Sequence, residues 1–264
     1  MESAIKIHQA KAQLEWQVEL GATEAIGDVP INRYDLPDSQ PKPNVKNAAA
    51  ANINPHSGSG DAGSDATVFA AQIAAEARDL GQLRRAVENF ELCQLKRGAK
   101  TTVFADGDPA ARVMIIGEAP GRDEDIRGLP FVGRAGKLLD KMFASIGMTR
   151  DSADSAASVY ITNILPWRPP QNRDPLPDEI AMLLPFVKRH VELAQPELLV
   201  LMGNVSCLAL LGRKGITRLR GNWTTALNLP ALPMFHPAYL LRNPQAKREA
   251  WHDLLKLQSE LQSG

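Results

Sequence analysis

The chain has 264 residues, of which 44% are hydrophobic and 23% are charged, and this composition is typical of a globular protein with one sizeable core. No apolar run reaches the roughly 18 residues of a membrane helix, and the first residues lack the apolar stretch of a signal peptide, so we expect a cytoplasmic protein without a membrane partner. A formal net charge of zero excludes the strong overall basic footprint that is typical of nucleic-acid-binding proteins.

Three segments of different composition follow one another along the chain. Residues 1–36 form an N-terminal extension, in which residues 5–20 have the spacing of one amphipathic helix. Residues 37–66 are rich in Pro, Asn, Ala, Gly, Ser and Asp, which predicts a flexible linker. Residues 67–264 are predicted to form the folded domain, with 25 Lys and Arg against 21 Asp and Glu, whereas the first 66 residues have 5 against 9.

The predicted domain alternates helical patterns with short buried strands. A helical pattern covers 68–90, and apolar runs at 112–116, 158–162, 198–202 and 232–235 predict four strands. Further helices are predicted at 136–146, at 178–193 and after Pro244. This alternation predicts an α/β fold, a three-layer α/β/α sandwich with a central, mainly four-stranded parallel sheet.

Polar and small residues follow each predicted strand, at the edge where an open parallel sheet binds its ligands. The Gly-rich segment after the first strand matches neither GxGxxG nor GxxxxGK[ST], which argues against a nucleotide cofactor. A carboxylate, an amide, an aromatic ring and a histidine at one edge suit a flipped nucleobase. The ring would stack on the base, the amide would read its edge, and the histidine would stabilise developing anionic charge.

Three segments resemble the signature segments of family 4 uracil-DNA glycosylases, in the same order and with compatible spacing: GEAPGRDEDIRGLPFVGRAG (117–136), YITNILPWRPPQNRDPLPDE (160–179) and HPAYLLRNP (236–244). The resemblance extends from about residue 67 to the C terminus. It implies a uracil-DNA glycosylase-like fold and a monofunctional enzyme that hydrolyses the N-glycosidic bond of deoxyuridine in single- or double-stranded DNA. It also implies a monomer that leaves abasic sites for base excision repair and is associated with the bacterial nucleoid during repair.

The resemblance assigns uracil-binding roles to four residues, Phe131, Asn163, Gly117 and Ala119. Phe131 would stack on the ring, and Asn163 would select N3–H and O4 of uracil over the reversed pattern of cytosine. Taken alone, Phe131 could be a core residue, and an Asn after a strand is more often a turn or cap residue.

The resemblance assigns the catalytic roles to Glu118 and His236. His236 would donate a hydrogen bond to uracil O2 as the glycosidic bond lengthens, which stabilises uracil as a leaving anion. Glu118 would stabilise an oxocarbenium-like sugar or orient the attacking water. Taken alone, Glu118 could be an acidic residue favoured at a helix N terminus, and the run Asp123 to Asp125 is predicted to be solvated.

The resemblance implies DNA contacts for six residues, namely Pro130, Gly133, Arg134, Tyr239, Leu240 and Arg242. The loop at 237–242 resembles the wedge that enters the duplex where the base has left. We expect Leu240 to fill the gap and Arg242 to meet phosphate.

The chain departs from the family at the iron–sulfur cluster. The four cysteines of family 4 align here with Phe90, Cys93, Trp167 and Leu183, so one thiolate ligand remains. Because one thiolate cannot hold a four-iron cluster, we predict a protein without metal or organic cofactor, in which apolar side chains fill the vacated volume. Cys207 lies outside any metal-ligand motif.

Two alternative functions remain open at this stage. The chain could be a damage- or abasic-site-binding protein with little turnover, or a hydrolase of free nucleosides or nucleotides. The N-terminal extension could contact a repair or replication protein or pack on the core, and the sequence favours neither.

Overall fold

The structure is a computed structural model that describes residues 61–263. The predicted helix at 5–20 and the linker up to residue 60 lie outside the described residues. The first helix, α1, covers Asp61–Glu76, so residues 61–66, which the composition placed in the linker, are helical. The second helix, α2, covers Leu80–Glu88.

The pattern at 68–90 is therefore two helices and not one. Asp79 has an extended backbone between them, and its carboxylate accepts a hydrogen bond from the amide of Gln82 over 2.7 Å. This N-cap satisfies a free amide of α2 and starts a new helix, a local effect that the apolar spacing does not show.

The remaining elements follow in chain order. The first group comprises α3 (Leu95–Gly98), β1 (Asp106–Gly107), β2 (Val113–Gly117), α4 (Arg122–Arg127) and α5 (Arg134–Ala144). The second comprises a 3-10 turn (Ser155–Ala157), β3 (Val159–Asn163), a 3-10 turn (Pro170–Asn172), α6 (Pro177–Ala194), β4 (Leu198–Met202), α7 (Asn204–Leu211) and α8 (Ile216–Leu219). The last comprises β5 (Thr224–Ala226), β6 (Leu229–Met234), α9 (Pro237–Arg242), a 3-10 turn (Pro244–Ala246) and α10 (Lys247–Ser263).

These strands form one six-stranded sheet in the order β1-β3-β2-β4-β6-β5. The four central strands are parallel and are those predicted from the apolar runs, whereas β1 and β5 pair antiparallel at the edges. Every residue of β2, β3 and β4 is buried, as expected for a sheet covered by helices on both faces. The three-layer α/β/α sandwich is thus confirmed, with two short edge strands in addition.

The strand register brings the functional segments to one edge of the sheet. Gly117, the last residue of β2, lies opposite Asn163, the last residue of β3. β4 pairs in parallel with β2 on one side and with β6 on the other. The segments that follow β2, β3, β4 and β6 therefore meet at the same edge.

Between residues 61 and 263, the structure has no helix with the length and apolar character needed to cross a membrane.

Candidate active site

A cavity of about 570 Å³ opens at the carboxyl edge of the parallel strands. Its lining includes residues at or after the ends of the four central strands and at the end of α9, namely Glu118, Phe131, Asn163, Gly203, His236 and Arg242. Ala119 and Tyr239 also line it. The structure therefore brings together the predicted catalytic and uracil-binding residues, which come from three separate segments of the chain.

Gly117 allows two of these side chains to approach each other. A Cβ atom at position 117 would lie 2.3 Å from Oδ1 of Asn163 and 2.5 Å from Cε2 of Phe131. Real Cβ atoms do not come so close to other heavy atoms, so any larger residue would displace the amide or the ring. Gly117 is required here for close approach and not for an unusual backbone angle.

Asn163 carries an acceptor that the protein leaves unused. Its side chain is buried, and Oδ1 has no hydrogen-bond partner, the one buried side-chain atom in this condition among the described residues. An unpaired buried acceptor costs about 1–3 kcal/mol. Since Asn163 lines the cavity, a ligand with an imino N–H can satisfy Oδ1 there.

Phe131 is held in an unusual conformation beside the cavity. Its φ angle is +53°, its side chain is buried, and its ring centroid lies 5.4 Å from that of His236 with a tilt of 30°. Glu124 fixes the following turn, because its Oε1 accepts hydrogen bonds from the amides of Val132 (3.0 Å) and Gly133 (2.9 Å). The ring therefore forms a wall of the cavity on a tightly held loop.

The acidic run in this loop is not solvated as predicted. Glu124 accepts a third hydrogen bond from the amide of Gly121, and Asp125 is buried and accepts from the amide of Lys100 over 2.8 Å. Only Asp123 is exposed. The prediction was wrong for Glu124 and Asp125 because their carboxylates bind main-chain amides, those of the same loop for Glu124 and that of Lys100, 25 positions earlier, for Asp125.

His236 presents a neutral ring with a defined tautomer. It is the N-cap of α9, and its Nδ1 accepts a hydrogen bond from the amide of Ala238 over 3.2 Å, which leaves the proton on Nε2. Burial lowers the pKa of His236, and the Arg242 cation lowers it further, to about 4. Near neutral pH the ring is thus an uncharged hydrogen-bond donor at the cavity wall.

The pKa of Glu118 is shifted in the opposite direction from that of His236. Burial, and then the neighbouring Asp174 carboxylate, raise the pKa of Glu118, while the Arg242 cation opposes the rise. The helix that follows, α4, has Gly121 as its N-cap, so Glu118 lies outside its first turn. A role at a helix N terminus is therefore excluded, and the carboxylate faces the cavity instead.

The residues predicted to contact DNA fall into two groups. Gly133 and Arg134 lie at the start of α5, with Arg134 exposed, and Tyr239 and Arg242 line the cavity from α9. Tyr239 also stacks on Phe235, with 4.8 Å between ring centroids. Tyr239 and Arg242 therefore border the cavity, whereas Gly133 and Arg134 are not part of its lining.

The structure corrects the prediction for Pro130 and Leu240. Pro130 is buried, and its carbonyl accepts a hydrogen bond from Arg150 over 3.0 Å. Leu240 is 1% exposed because α9 packs on α5, so its side chain belongs to the core. Leu241, the next residue of this helix, is 38% exposed.

The four positions that align with the family's cluster cysteines do not fit an iron–sulfur cluster. Phe90, Cys93, Trp167 and Leu183 are each 1% exposed, and three of them offer no thiolate. Phe90 packs edge-on against Phe186 at 5.3 Å. Burial raises the pKa of the Cys93 thiol, so it is not poised as a thiolate. Within residues 61–263, no group of three or more His, Cys, Asp or Glu side chains could hold a metal ion.

Sequence reasoning missed two residues that shape the site, Glu124 and Arg150. Arg150 donates hydrogen bonds to the carbonyl oxygens of Pro130 and Phe131, which lie 20 and 19 positions earlier in the chain. Arg150 also forms ion pairs with Asp106 and Asp140. No motif surrounds Arg150, so only the fold could reveal its partners.

Comparison with known proteins identifies relatives over most of the described region. The sequence model of the Uracil DNA glycosylase superfamily matches residues 104–255, which include Glu118, Phe131, Asn163 and His236. The type-4 uracil-DNA glycosylases of Archaeoglobus fulgidus and Saccharolobus solfataricus are each 35% identical to the chain, over 67% of its length and over 91% and 84% of theirs. The type-4 enzyme of Thermotoga maritima is 35% identical over 66% of this chain and 90% of its own.

Proposed function

The chain belongs to the uracil-DNA glycosylase superfamily, and we propose that it hydrolyses the N-glycosidic bond of deoxyuridine in DNA and leaves an abasic site for base excision repair. The observation that carries the proposal is the unpaired, buried Oδ1 of Asn163 in a cavity walled by Phe131 and a neutral His236. This arrangement supplies an acceptor, a stacking face and a donor for one planar ring.

Recognition of the base follows from the amide of Asn163. Its Oδ1 accepts the N3–H of uracil and its Nδ2 donates to O4, whereas cytosine offers an acceptor at N3 and a donor at C4. Phe131 stacks on the ring face. Because the base must leave the duplex to reach this cavity, Leu241 on α9 fills the gap and Arg242 binds phosphate.

Bond cleavage uses His236 and Glu118. As the bond between C1′ and N1 breaks, the electron pair moves into the uracil ring, and Nε2–H of His236 donates to O2 and stabilises the anion. The oxygen of water forms the new bond to C1′, and the raised pKa of Glu118 suits it to accept the proton of that water. Water is the nucleophile, so the reaction is monofunctional.

The test is a strand-cleavage assay. An end-labelled oligonucleotide with one deoxyuridine is incubated with purified protein, beside oligonucleotides with thymine or hypoxanthine as controls, and is then treated with hot alkali. We expect a break only at uracil and only after alkali. A break without alkali would contradict the monofunctional reaction. An uncut strand that still shifts in a binding gel would favour the damage-binding alternative, and equal release from free deoxyuridine would favour a nucleoside hydrolase.

We propose further that this enzyme works without an iron–sulfur cluster. Phe90, Trp167 and Leu183 are buried at the aligned positions and offer no thiolate to iron, which supports the proposal. Iron and acid-labile sulfide are measured in freshly purified protein, with excision assayed before and after a chelator. We expect substoichiometric iron and full activity after chelation. Stoichiometric iron and sulfide would overturn the proposal.

A further inference from the structure

The loop that carries Phe131 is held by an arginine outside the base cavity. The guanidinium of Arg150 donates from Nη1 to the carbonyl oxygen of Pro130 and from Nη2 to that of Phe131, both over 3.0 Å. We propose that Arg150 is a positioning residue for excision, which fixes the backbone of Phe131 so that its ring forms the stacking wall. The inference rests on the proposed function, since it takes Phe131 as the residue that stacks on the base.

The backbone at Phe131 requires such support. Its φ angle of +53° lies in the left-handed region, which a large residue adopts only when its surroundings impose it. Gly136 crowds the same peptide, because a Cβ atom there would lie 1.7 Å from the carbonyl oxygen of Phe131. That oxygen is thus turned against α5, and Arg150 provides its hydrogen bond.

Arg150 is itself held rigidly by two carboxylates. Nη1 donates to Oδ2 of Asp106 over 2.7 Å, and Nη2 and Nε donate to Oδ1 of Asp140 over 2.7 and 3.0 Å. With the two carbonyls, the five N–H groups of the guanidinium make five hydrogen bonds, and the side chain is 11% exposed. Arg150 therefore ties the loop to β1 and to α5.

Glu124 holds the other side of the same turn through the amides of Val132 and Gly133. Arg150 binds the carbonyls before the turn and Glu124 binds the amides after it, so Phe131 lies between two fixed points. A lysine at position 150 would keep the charge but has no planar fork to bind two carbonyls and two carboxylates. Without the fork, the peptide can relax and move the ring relative to Asn163 and His236.

The first test compares Arg150→Met and Arg150→Lys with Arg189→Met in single-turnover excision of uracil. Arg189 is a matched control, because it binds the carbonyl of Ala77 (3.0 and 2.8 Å) and Glu192 (2.8 Å) from α6, outside the cavity lining. Displacement of a reacting group by about 1 Å can cost roughly 100-fold in rate, so we expect both Arg150 variants to lose about 10- to 100-fold in maximal rate. The half-saturating DNA concentration should change little, and Arg189→Met should keep the wild-type rate.

A double variant decides whether Arg150 acts through Phe131. Phe131→Ala with Arg150→Met should excise uracil at the rate of Phe131→Ala alone, because the positioned ring is already absent. Full additional loss in the double variant would overturn the proposal. Wild-type rates in Arg150→Lys would do the same.

A spectroscopic readout keeps this inference separate from the proposed function. The protein is labelled with 4-fluorophenylalanine and studied by fluorine NMR. The resonance of residue 131 is the one that is absent from the spectrum of Phe131→Leu. We expect it to shift or broaden in Arg150→Met and Arg150→Lys and to stay in place in Arg189→Met. An unchanged resonance in both Arg150 variants overturns the positioning role. If wild-type protein removes no uracil, the proposed function fails, while the resonance still reports on Arg150.

Discussion

The amide of Ala238 donates a hydrogen bond to Nδ1 of His236 over 3.2 Å. This one bond caps α9 and also fixes the tautomer of the histidine. With the pKa of His236 lowered to about 4, the cavity presents an uncharged Nε2–H donor throughout the neutral range. The start of a short helix thus sets the protonation state that the proposed chemistry requires.

The lowered pKa values of His236 and His190 predict acid-sensitive stability. Burial lowers the pKa of His236 to about 4 and that of His190 to about 3, both from 6.5. Below pH 6.5 the unfolded chain binds protons that the folded chain does not, so the free energy of unfolding falls as pH falls towards 4, by about 1.4 kcal/mol per pH unit for each histidine. Urea unfolding at several pH values measures how the free energy of unfolding depends on pH. In His236→Asn this slope should be smaller by the contribution of one proton. An equal slope in wild type and His236→Asn would contradict the assignment.

Replacing Asn163 by leucine should separate stability from activity. Leucine has a similar branched shape and removes the unpaired Oδ1, so the free energy of unfolding should rise, by about 1 kcal/mol. The same change removes the acceptor for the base. The excision rate should therefore fall by at least about 100-fold, as it does when other enzymes lose a hydrogen bond to a reacting group. Chemical denaturation and single-turnover excision measure the two effects. Lower stability with intact excision would refute this role.

Gly117→Ala should close the base site. Its Cβ atom would lie 2.3 Å from Oδ1 of Asn163 and 2.5 Å from the ring of Phe131, so one of them must move. We expect a loss of excision of about 100-fold, as for other small displacements of reacting groups. Gly98→Ala is the matched control, since no heavy atom lies within 4 Å of the added Cβ. Equal excision rates in the two variants would show that the close approach is dispensable.

Leu240 and Leu241 should behave oppositely when each is replaced by alanine. Leu240 is 1% exposed, so Leu240→Ala should lower the free energy of unfolding by about 2–5 kcal/mol. Leu241 is 38% exposed, so Leu241→Ala should leave stability unchanged and reduce excision from double-stranded more than from single-stranded uracil DNA, where no gap needs filling. Melting temperatures and excision rates on both substrates check this. A strand-independent loss in Leu241→Ala would argue against a wedge.

The central strands and the residues that follow them could be predicted from the sequence. Apolar runs mark buried parallel strands, and Glu118, Asn163 and His236 lie at or within two residues of the ends of these strands, so local pattern alone places them at one edge. The edge strands β1 and β5 have two and three residues and no apolar run to signal them.

Long-range contacts explain what the sequence could not predict. Arg150 reaches Asp106 across 44 positions, and Asp125 reaches Lys100 across 25, without a motif at either end. Leu240 and Leu241 are equivalent in the sequence, and only the packing of α9 on α5 decides which one is buried. Local pattern thus predicts which residues form the site, whereas tertiary packing decides how they are held.

The most direct test of the proposed glycosylase chemistry is the release of free uracil from a duplex under single-turnover conditions by wild-type protein and by His236→Ala, with DNA binding measured in parallel. We expect release by the wild type, a rate lower by about 100- to 1,000-fold in the variant, and nearly unchanged binding, because His236 acts on charge that develops only as the bond breaks. Release at the wild-type rate by His236→Ala, or no release by the wild type, would contradict it.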